Sequence, residues 1–481
     1  MVYDPSIRLG NIIKVVYSRS LMKTIVMKFG GTSVKDGGYN RIVDILKLYK
    51  EQKAIIVVSA IKGVTDELIE AAKVAERGDN KAVQEFLDRN AERHRNEAKL
   101  SMKDVDTDVR TKLLQVDDEL GHILYSLCYT RDLTPRILDY IMSFGERYSL
   151  ELAAATLNRR GIKAVGLTGG ESGIITDAVF GDANPLMNAT KQAVHERLIP
   201  MLEKGITPVV GGFAGITKDG IITTFGRGGS DYTATILGAA VDADKIIIWS
   251  DVDGMMTADP KLIKSRTIPE LTYDEAMELA AFGAKAFHPK SLIPAMEHRI
   301  PIYVRNTFRP EGAGTLISES GKKSYSVDIV KAVAVLRGMS IVTIKGPLVG
   351  GNIATKILGR LANEGINIKM ISQSMSESNL SFVIPQRSLD SCKSIIEFEY
   401  LGKEIMDMDS IKDVCIVAII GSGMRGTPGV AARLFNSLGA RKINIVMIAQ
   451  GSSELNISIA IQEKDLQKSV EAIHEEFMGR T

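Results

Sequence analysis

The chain is poor in cysteine, in tryptophan and in any excess of one charge. Its 481 residues include 3 cysteines and 1 tryptophan, and 60 Lys and Arg residues balance 58 Asp and Glu residues to a formal net charge of +2. So few cysteines, with no CxxC pair, exclude a disulfide framework and favour a reducing compartment, so we expect a cytoplasmic protein. The balanced charge argues against a nucleic-acid partner. No apolar run approaches the roughly 18 residues of a membrane-spanning helix, so we expect no membrane partner.

Short apolar runs alternate with helical stretches over the first three hundred residues. Thr24–Phe29, Ala54–Val58, Pro208–Val210 and Lys245–Ile248 are the clearest strands, and residues 67–128 are charged and periodic like helices. This alternation predicts an α/β fold with a mostly parallel sheet covered by helices on both faces. Weaker runs that we also expect to form strands are Val15–Val16, Ile174–Ile175 and Ile221–Ile222.

An internal repeat occupies the C-terminal part of the chain. With an offset of 77 and no gaps, residues 353–382 align with residues 430–459, and twelve of the thirty positions are identical. Each copy has the pattern strand, loop, helix, strand, hairpin, strand. Two copies predict a pair of similar α+β modules rather than a solenoid, which usually needs three or more repeats.

Two glycine-rich motifs are the strongest candidates for anion binding. In Lys28–Ser33 (KFGGTS) a strand ends in two glycines whose N–H groups can approach an anion, and the lysine adds a charge suited to phosphate. A tight turn with a surface lysine is the alternative. In Gly226–Thr233 (GRGGSDYT) Arg227 stands beside a predicted helix N-terminus, an arrangement suited to phosphate or carboxylate. The alternative there is a capped turn in which Arg227 pairs with a nearby acid.

Three further segments are less specific. Ser250–Gly254 brings acidic groups to the end of a strand, where α/β sheets bind ligands, but Asp-Gly is also an ordinary turn. Lys285 could contact a phosphate or end a helix. Phe144–Arg147 could present Glu146 to a ligand or to solvent.

The segment Gly421–Gly426 matches the GxGxxG pattern of dinucleotide-binding proteins. We reject that function because no acid stands about 20 residues further on, and the segment belongs to the second repeat copy. The six histidines have no metal-ligand spacing, so we expect no metal site built from protein side chains. Any catalytic metal is expected to be Mg²⁺ that arrives with a nucleotide.

Taken together, the motifs resemble those of the aspartate kinases. KFGGTS, Val58–Ala60 with Thr65, Phe144–Glu146, GRGGSDYT and Ser250–Gly254 occur in the order of that family. The likeness runs from about residue 23 to the C-terminus, and the repeats resemble its tandem ACT domains. It implies an amino-acid kinase fold followed by two α+β, ferredoxin-like ACT domains. The implied division is an N-terminal extension (1–22), a catalytic domain (23–315), a linker (316–329), a first ACT domain (340–405) and a second (330–339 with 406–481).

The resemblance implies transfer of a phosphoryl group from ATP, with Mg²⁺, to the β-carboxylate of L-aspartate. The product would be 4-phospho-L-aspartate, at the first step of lysine, threonine and methionine biosynthesis. Lys28, Arg227 and Asp231 match the catalytic positions: Lys28 would stabilise charge on the transferring group and Arg227 would hold the α-carboxylate. Glu146 would receive the ammonium group.

The same likeness assigns the remaining site residues. The positions matching substrate-binding residues are Thr65, Glu146, Arg227, Ser230 and Asp231. The positions matching nucleotide-binding residues are Lys28, Gly30, Gly31, Ser33, Ser250, Asp251, Met256, Lys261 and Lys285. Met256 stands where some relatives have a tyrosine near the adenine.

For the repeats, the resemblance implies regulation by an amino acid bound at paired ACT domains, in a homodimer or homotetramer. The positions matching that site are Gly350, Gly351, Asn352, Ile353, Asn367, Gln373, Asn444 and Gln450. Gln373 and Gln450 match glutamines that bind threonine in relatives, so threonine is the expected effector and lysine the alternative. Both glutamines could instead satisfy backbone groups at matching points of the repeat.

Two other functions remain open on the sequence. The chain could be another kinase of the same fold, acting on glutamate, acetylglutamate, carbamate or UMP, or an inactive amino-acid sensor. GRGGSD, Glu146 and the repeats argue against the first, and intact Lys28, Arg227 and Asp231 argue against the second. A fused homoserine dehydrogenase is not expected, because the sequence ends with the second repeat.

Overall fold

A computed structural model describes residues 23–283, 287–319, 329–346, 351–374 and 378–479. The extension 1–22, with its expected strand Val15–Val16, lies outside the described residues. The chain divides into two compact units, Met1–Asp251 with Ile293–Pro310 and Val252–Leu292 with Glu311–Thr481. Within the described ranges, every helix is too short or too polar to cross a bilayer.

The strands and helices follow one another along the chain as follows. The strands are β1 (Thr24–Phe29), β2 (Lys53–Val58), β3 (Ala164–Leu167), β4 (Thr207–Gly211), β5 (Ala214–Ile216), β6 (Ile222–Thr224), β7 (Lys245–Ser250), β8 (Glu270–Thr272), β9 (Ile302–Asn306), β10 (Thr315–Ser318), β11 (Ala332–Lys345), β12 (Met370–Gln373), β13 (Asn379–Pro385), β14 (Asp407–Ile420), β15 (Met447–Gln450) and β16 (Asn456–Gln462). The helices are α1 (Gly31–Val34), α2 (Tyr39–Lys47), α3 (Val64–Glu76), α4 (Asn80–Met102), α5 (Thr107–Thr130), α6 (Pro135–Arg159), α7 (Met187–Glu203), α8 (Gly229–Ala240), α9 (Tyr273–Ala281), α10 (Ile293–Glu297), α11 (Asn352–Asn363), α12 (Leu389–Glu399), α13 (Val430–Gly439) and α14 (Leu466–Met478).

The first unit is built on a parallel sheet. Six of its strands lie in the order β3-β4-β2-β1-β7-β9, and every neighbouring pair is parallel. Phe29 at the end of β1 is in register with Val58 of β2 and with Trp249 of β7. The predicted mostly parallel sheet is therefore confirmed, and the carboxyl ends of its central strands meet at one edge.

Helices cover both faces of this sheet because its central strands are apolar on both sides. Ile25, Met27 and Phe29 of β1 belong to a buried core shared with helices α2 to α6. Successive side chains of a strand point to opposite faces, so Val26 and Lys28 face the other way. Helix α8 packs against β1 and is buried along its whole length. The central strands therefore read as continuous hydrophobic runs.

Two expected strands differ from the prediction. Ile174–Ile175 makes only an isolated bridge, from Ile175 to Ile216, because Gly173 turns the chain with a φ of 101°. Ile221–Ile222 contributes one residue to β6, which pairs antiparallel with β5 in a separate two-stranded ribbon. Neither segment belongs to the main parallel sheet.

The second unit contains an antiparallel sheet formed by both repeat copies. Its order is β12-β13-β11-β14-β16-β15, and the long strands β11 and β14 lie at its centre. The first part of β11, Ala332–Leu336, pairs with the end of β14, whereas Met339–Lys345 also pairs with β13. The register shifts between Leu336 and Met339, where Gly338 has a φ of 68°. One strand thus serves both modules.

The repeat extends further than the sequence alignment indicates. Strands β12 and β15, strands β13 and β16, and the first residues of helices α12 and α14 all stand 77 positions apart. The predicted order of each copy omitted these second helices and is wrong on that point. Helix α12 buries Leu389, Cys392 and Ile396 at helical spacing, and its partner helix buries an equivalent apolar stripe.

Residues 252–292, which the sequence analysis placed in the catalytic domain, group with the repeats. The carboxylate of Glu275 in α9 is fully buried; it accepts hydrogen bonds from the Ser422 N–H (2.8 Å) and hydroxyl (2.7 Å) and forms an ion pair with Lys331 (3.0 Å). Thr257 is hydrogen-bonded to His474 at 3.0 Å. Residues 316–318, expected in a linker, belong to β10, which pairs with β8.

Candidate functional site

Lys28 lies near the carboxyl end of β1 and is buried, with 8% of its surface exposed. Its Nζ lies 2.6 Å from Oδ1 of Asp231, in the first turn of α8. A buried ammonium group needs such a partner, because an unpaired charge in the protein interior is costly. The alternative of a surface lysine beside a tight turn is therefore wrong. The pair holds one cation at a fixed position where β1 ends.

The glycine turn after β1 packs closely against the neighbouring strand end. A Cβ atom on Gly31 would lie 2.6 Å from the carbonyl oxygen of Ala60, so only glycine fits. Gly30 donates its N–H to the Trp249 carbonyl at 3.2 Å. The Ser33 hydroxyl is fully buried, 3.3 Å from the Trp249 carbonyl and 2.6 Å from the Thr307 hydroxyl. The Ser33 side chain thus fastens the turn to the end of β7 and to Thr307, on the buried side of the turn.

Glu146 is a buried carboxylate in the middle of α6, with 5% of its surface exposed. The Ala60 N–H donates to its Oε1 at 3.0 Å, and among the described residues its Oε2 has no hydrogen-bond partner. Burial raises the pKa of Glu146 to about 8, although the Ala60 N–H and the charge of Lys28 act in the opposite direction. The alternative of a surface glutamate is wrong. A buried oxygen without a partner is suited to a cationic group of a ligand.

Gly145 allows α6 to approach the end of β2. A Cβ atom at Gly145 would lie 2.6 Å from the Cβ of Ala60, and one at Gly212 would lie 2.7 Å from the Cβ of Ser230. Gly145 therefore lets the segment carrying Glu146 approach Ala60, and Gly212 lets the residues after β4 approach Ser230. Residues from α6, from 168–171 and from 211–216 line a cavity of about 350 Å³ that includes Glu146.

Arg227 stands in an exposed loop before α8, between two glycines in the left-handed region, Gly226 (φ 69°) and Gly228 (φ 74°). Within the described ranges it forms no ion pair with an acid, contrary to the alternative that it merely pairs with a neighbour. Because a guanidinium group binds carboxylates with two parallel hydrogen bonds, Arg227 is available for an anionic ligand.

The remaining predicted residues of the first unit lie around the same sheet edge. Thr65 is half-buried in the first turn of α3, and Ser230 is buried in the first turn of α8. Ser250 ends β7, and its hydroxyl lies 3.3 Å from the carboxylate of the exposed Asp251. The sheet thus brings residues far apart in sequence to the carboxyl ends of β1, β2 and β7.

Other predicted residues lie in the second unit or outside the description. Met256 accepts a hydrogen bond from Thr267 at 3.6 Å, and Lys261 is exposed. Lys285 and Gly350 lie outside the described residues. Gly351, Asn352 and Ile353 are at the start of α11, and Asn367 and Asn444 are exposed in loops.

Gln373 and Gln450 occupy equivalent positions at the ends of β12 and β15 and are both exposed. In the part of the chain that the structure describes, neither amide side chain forms a hydrogen bond. The alternative that they satisfy backbone groups therefore has no support in the geometry. Both amides are available to an external ligand.

The described residues include groups that can bind a carboxylate, an ammonium group and a phosphate, but they include no preformed metal cluster. No group of three or more His, Cys, Asp or Glu side chains within the described ranges could hold a metal ion. Lys28 supplies a fixed cation, Glu146 a buried acceptor, Arg227 an exposed donor and Gly30–Gly31 a close-packed turn. Such a set can position and neutralise charged reactants, which is the main requirement of phosphoryl transfer.

Family models match both parts of the chain. The amino acid kinase family matches residues 23–306, and an ACT domain family matches residues 351–399 and 417–477. The aspartate kinase of Pseudomonas fluorescens (strain SBW25) is 32% identical over 467 residues, which cover 95% of this chain and 98% of that protein.

Solved structures resemble this chain over nearly its whole length. E. coli aspartokinase III in complex with aspartate and ADP (R-state) has a TM-score of 0.79 and 27% identity, covering 95% of this chain and 100% of that one. The same enzyme in complex with lysine and aspartate (T-state) has a TM-score of 0.77 and 27% identity, covering 94% and 99%.

Proposed function

The chain belongs to the aspartate kinases of the amino acid kinase family, and on that basis we propose that it transfers the γ-phosphoryl group of ATP to the β-carboxylate of L-aspartate. The product is 4-phospho-L-aspartate, which commits aspartate to lysine, threonine and methionine synthesis. The observation that supports this most strongly is the buried Lys28–Asp231 pair beside the unpartnered carboxylate oxygen of Glu146.

The proposed reaction needs no general base. The β-carboxyl group of aspartate, with an ordinary pKa of about 4, is already ionised and nucleophilic at neutral pH. Catalysis therefore consists of positioning and charge neutralisation. Lys28 neutralises charge that develops on the transferred group, while Asp231 fixes the direction of its ammonium group. The N–H group of Gly31 contacts the phosphates from the turn, and Gly30, whose N–H is bonded to the Trp249 carbonyl, lets them approach because it has no side chain.

The substrate amino acid is held through its α-groups. Arg227 binds the α-carboxylate, and the ammonium group lies against Glu146, whose Oε2 is free to accept it. Thr65 and Ser230 complete this pocket with hydroxyl groups. Ser250 and Asp251, at the end of β7, contact the nucleotide, whereas the buried Ser33 supports the turn rather than the ligand. The nucleotide roles of Met256, Lys261 and Lys285 rest on the resemblance alone.

Mg²⁺ accompanies the nucleotide in this proposal. The ion retains waters and phosphate ligands and usually takes only one or two carboxylates from a protein. When bound, Mg²⁺ neutralises charge on the phosphates.

A substrate panel tests the proposed activity. We expect ADP release with MgATP and L-aspartate, and none above background with glutamate, acetylglutamate, carbamate or UMP. Turnover with one of those acceptors instead would identify another kinase of the same fold. Failure with every acceptor would favour an inactive amino-acid sensor.

The affinity for aspartate is expected to depend on pH through Glu146. Because its pKa is about 8 in the free protein, the carboxyl group is mostly protonated at pH 6, and only the carboxylate pairs with an ammonium group. Hence kcat/KM for aspartate, which reports the free enzyme, should rise about tenfold per pH unit from pH 6 towards pH 8 and then level off. A pH series of initial rates measures this. The Glu146→Gln variant should lose the slope, and a flat profile in the parent protein would contradict the assignment.

We propose that an amino acid regulates the enzyme through the repeats, with threonine as the effector and lysine as the alternative. The support is the pair of exposed glutamines at equivalent points of the two copies. Oligomerisation through the ACT domains is supported by Ile371 and Ile448, each 47% exposed on the outermost strands β12 and β15.

Removing the two glutamines should weaken inhibition by threonine without changing catalysis. For a variant with Gln373→Ala and Gln450→Ala, we expect the half-inhibitory threonine concentration to rise at least about tenfold, within the usual range of allosteric coupling. Initial rates against threonine concentration measure this, with Gln467→Ala on α14 as a matched surface control. Inhibition by lysine but not threonine in the parent protein would move the assignment to lysine.

A further inference from the structure

Asp139, near the start of α6, is a buried carboxylate that the proposed chemistry does not use. Only 1% of its surface is exposed. Its Oδ2 accepts hydrogen bonds from the N–H of Gly181 at 2.9 Å and the N–H of Thr224 at 2.8 Å, and its Oδ1 accepts one from the Thr224 hydroxyl at 2.7 Å. Both carboxylate oxygens are thus satisfied by uncharged donors.

These donors belong to the two segments that enclose the start of the Arg227 loop. Thr224 ends β6 and stands three positions before Arg227, and its carbonyl accepts the N–H of Ala183 at 2.9 Å. A Cβ atom on Gly226 would lie 2.7 Å from the Gly181 carbonyl oxygen, so the two segments are in close contact there. The Asp139 carboxylate therefore fixes the backbone from which the loop departs.

The same helix carries Glu146, seven residues further on. Seven residues are about two turns, or roughly 10 Å along the axis, and they place the two carboxylates on the same side of α6. Asp139 thereby links one helix to the loop that bears Arg227. Glu146 and Arg227, assigned to the α-ammonium and the α-carboxylate of the substrate, are thereby held at fixed positions relative to each other.

We propose that Asp139 is a positioning residue that fixes Arg227 relative to Glu146 and so sets the affinity for the amino-acid substrate. The inference rests on the proposed function, because it assumes that both groups bind that substrate. It predicts an effect on aspartate binding and little effect on nucleotide binding, since none of the segments held by Asp139 belongs to the turn after β1.

The test compares two substitutions at Asp139. Asp139→Ala removes both acceptors, so we expect KM for aspartate to rise at least tenfold, with KM for MgATP and kcat within about threefold of the parent values. Asp139→Asn should restore the parent KM. Its amide oxygen can accept both N–H groups, and its NH₂ can donate to the Thr224 hydroxyl, which then acts as an acceptor.

Asn158→Ala is the matched control on the same helix. Asn158 also bridges backbone groups, donating to the Ala164 carbonyl at 2.8 Å and accepting the Ala164 N–H at 2.9 Å, but it lies near the other end of α6. This variant should lower the melting temperature without raising KM for aspartate. If Asp139→Ala fails to fold, Thr224→Val removes only the hydroxyl contact and should still raise KM for aspartate severalfold.

Calorimetry of aspartate binding without nucleotide separates the inference from the proposed activity. A weaker Kd for Asp139→Ala that Asp139→Asn restores would support positioning even if no transfer were measured. An unchanged Kd and KM in a folded Asp139→Ala protein would overturn the inference. Equal weakening by Asp139→Asn would also overturn it, because the charge rather than the hydrogen-bond geometry would then matter.

Discussion

Replacing Lys28 with alanine is expected to lower kcat by about a thousandfold, with KM for aspartate changed by less than about threefold. The reason is the fixed position of the ammonium group, which lies 2.6 Å from Asp231 in a nearly dry part of the sheet edge. Such a preorganised donor contributes most where charge develops during the reaction, and water cannot reproduce it. Initial rates of ADP release at varied aspartate concentrations measure both constants.

The control for this variant is Lys245→Ala. Lys245 is the first residue of β7, which lies next to β1 and runs parallel to it. It therefore lies at the amino ends of the strands, away from Lys28, with its ammonium group over the ring of Tyr49. We expect nearly parent kcat for this protein. A Lys28→Ala enzyme with normal kcat and a raised KM for aspartate would assign Lys28 to substrate binding and contradict its role in transfer.

Replacing Arg227 with alanine is expected to raise KM for aspartate by about thirtyfold or more. Loss of one partner from a hydrogen-bonded charge pair costs about 2–5 kcal/mol, and every 1.4 kcal/mol is a factor of ten. Because Arg227 is exposed and forms no ion pair among the described residues, its removal leaves no buried acid unpaired. The folded structure should therefore tolerate the change.

Steady-state kinetics and a melting curve together measure this effect. Arg136→Ala is the control, because Arg136 is an exposed arginine in the first turn of α6. We expect the control to retain the parent KM and the Arg227→Ala protein to retain the parent melting temperature. An unchanged KM for aspartate would show that another group binds the α-carboxylate.

The sequence predicts the identity of the site residues better than their environment. KFGGTS and GRGGSD mark Lys28, Arg227 and Asp231 because glycines beside charged residues form an unusual local pattern. That Lys28 and Asp231 form a buried pair depends on strand β1 and helix α8 meeting across two hundred residues. No local pattern contains that information. The raised pKa of Glu146 likewise follows from burial, which the sequence does not reveal.

Asp139 is the residue of the account that the sequence alone reveals least. Its partners Gly181 and Thr224 follow it by 42 and 85 positions, and nothing in its neighbourhood distinguishes it from a surface acid. The available signal was its spacing of seven residues from Glu146 on one helix. In the repeats, the alignment ended before α12 and α14, because their buried positions keep the apolar pattern while most residue identities change.

Isotope transfer from the substrate tests the central claim most directly. L-Aspartate labelled with ¹⁸O in its β-carboxylate is incubated with the protein, ATP, Mg²⁺ and hydroxylamine. An attacking carboxylate oxygen remains on phosphorus when hydroxylamine displaces the phosphate from the acyl carbon. We therefore predict β-aspartyl hydroxamate and released phosphate that carries one ¹⁸O atom. Released phosphate without the label, and no hydroxamate, would show that the β-carboxylate does not attack ATP and would contradict the account.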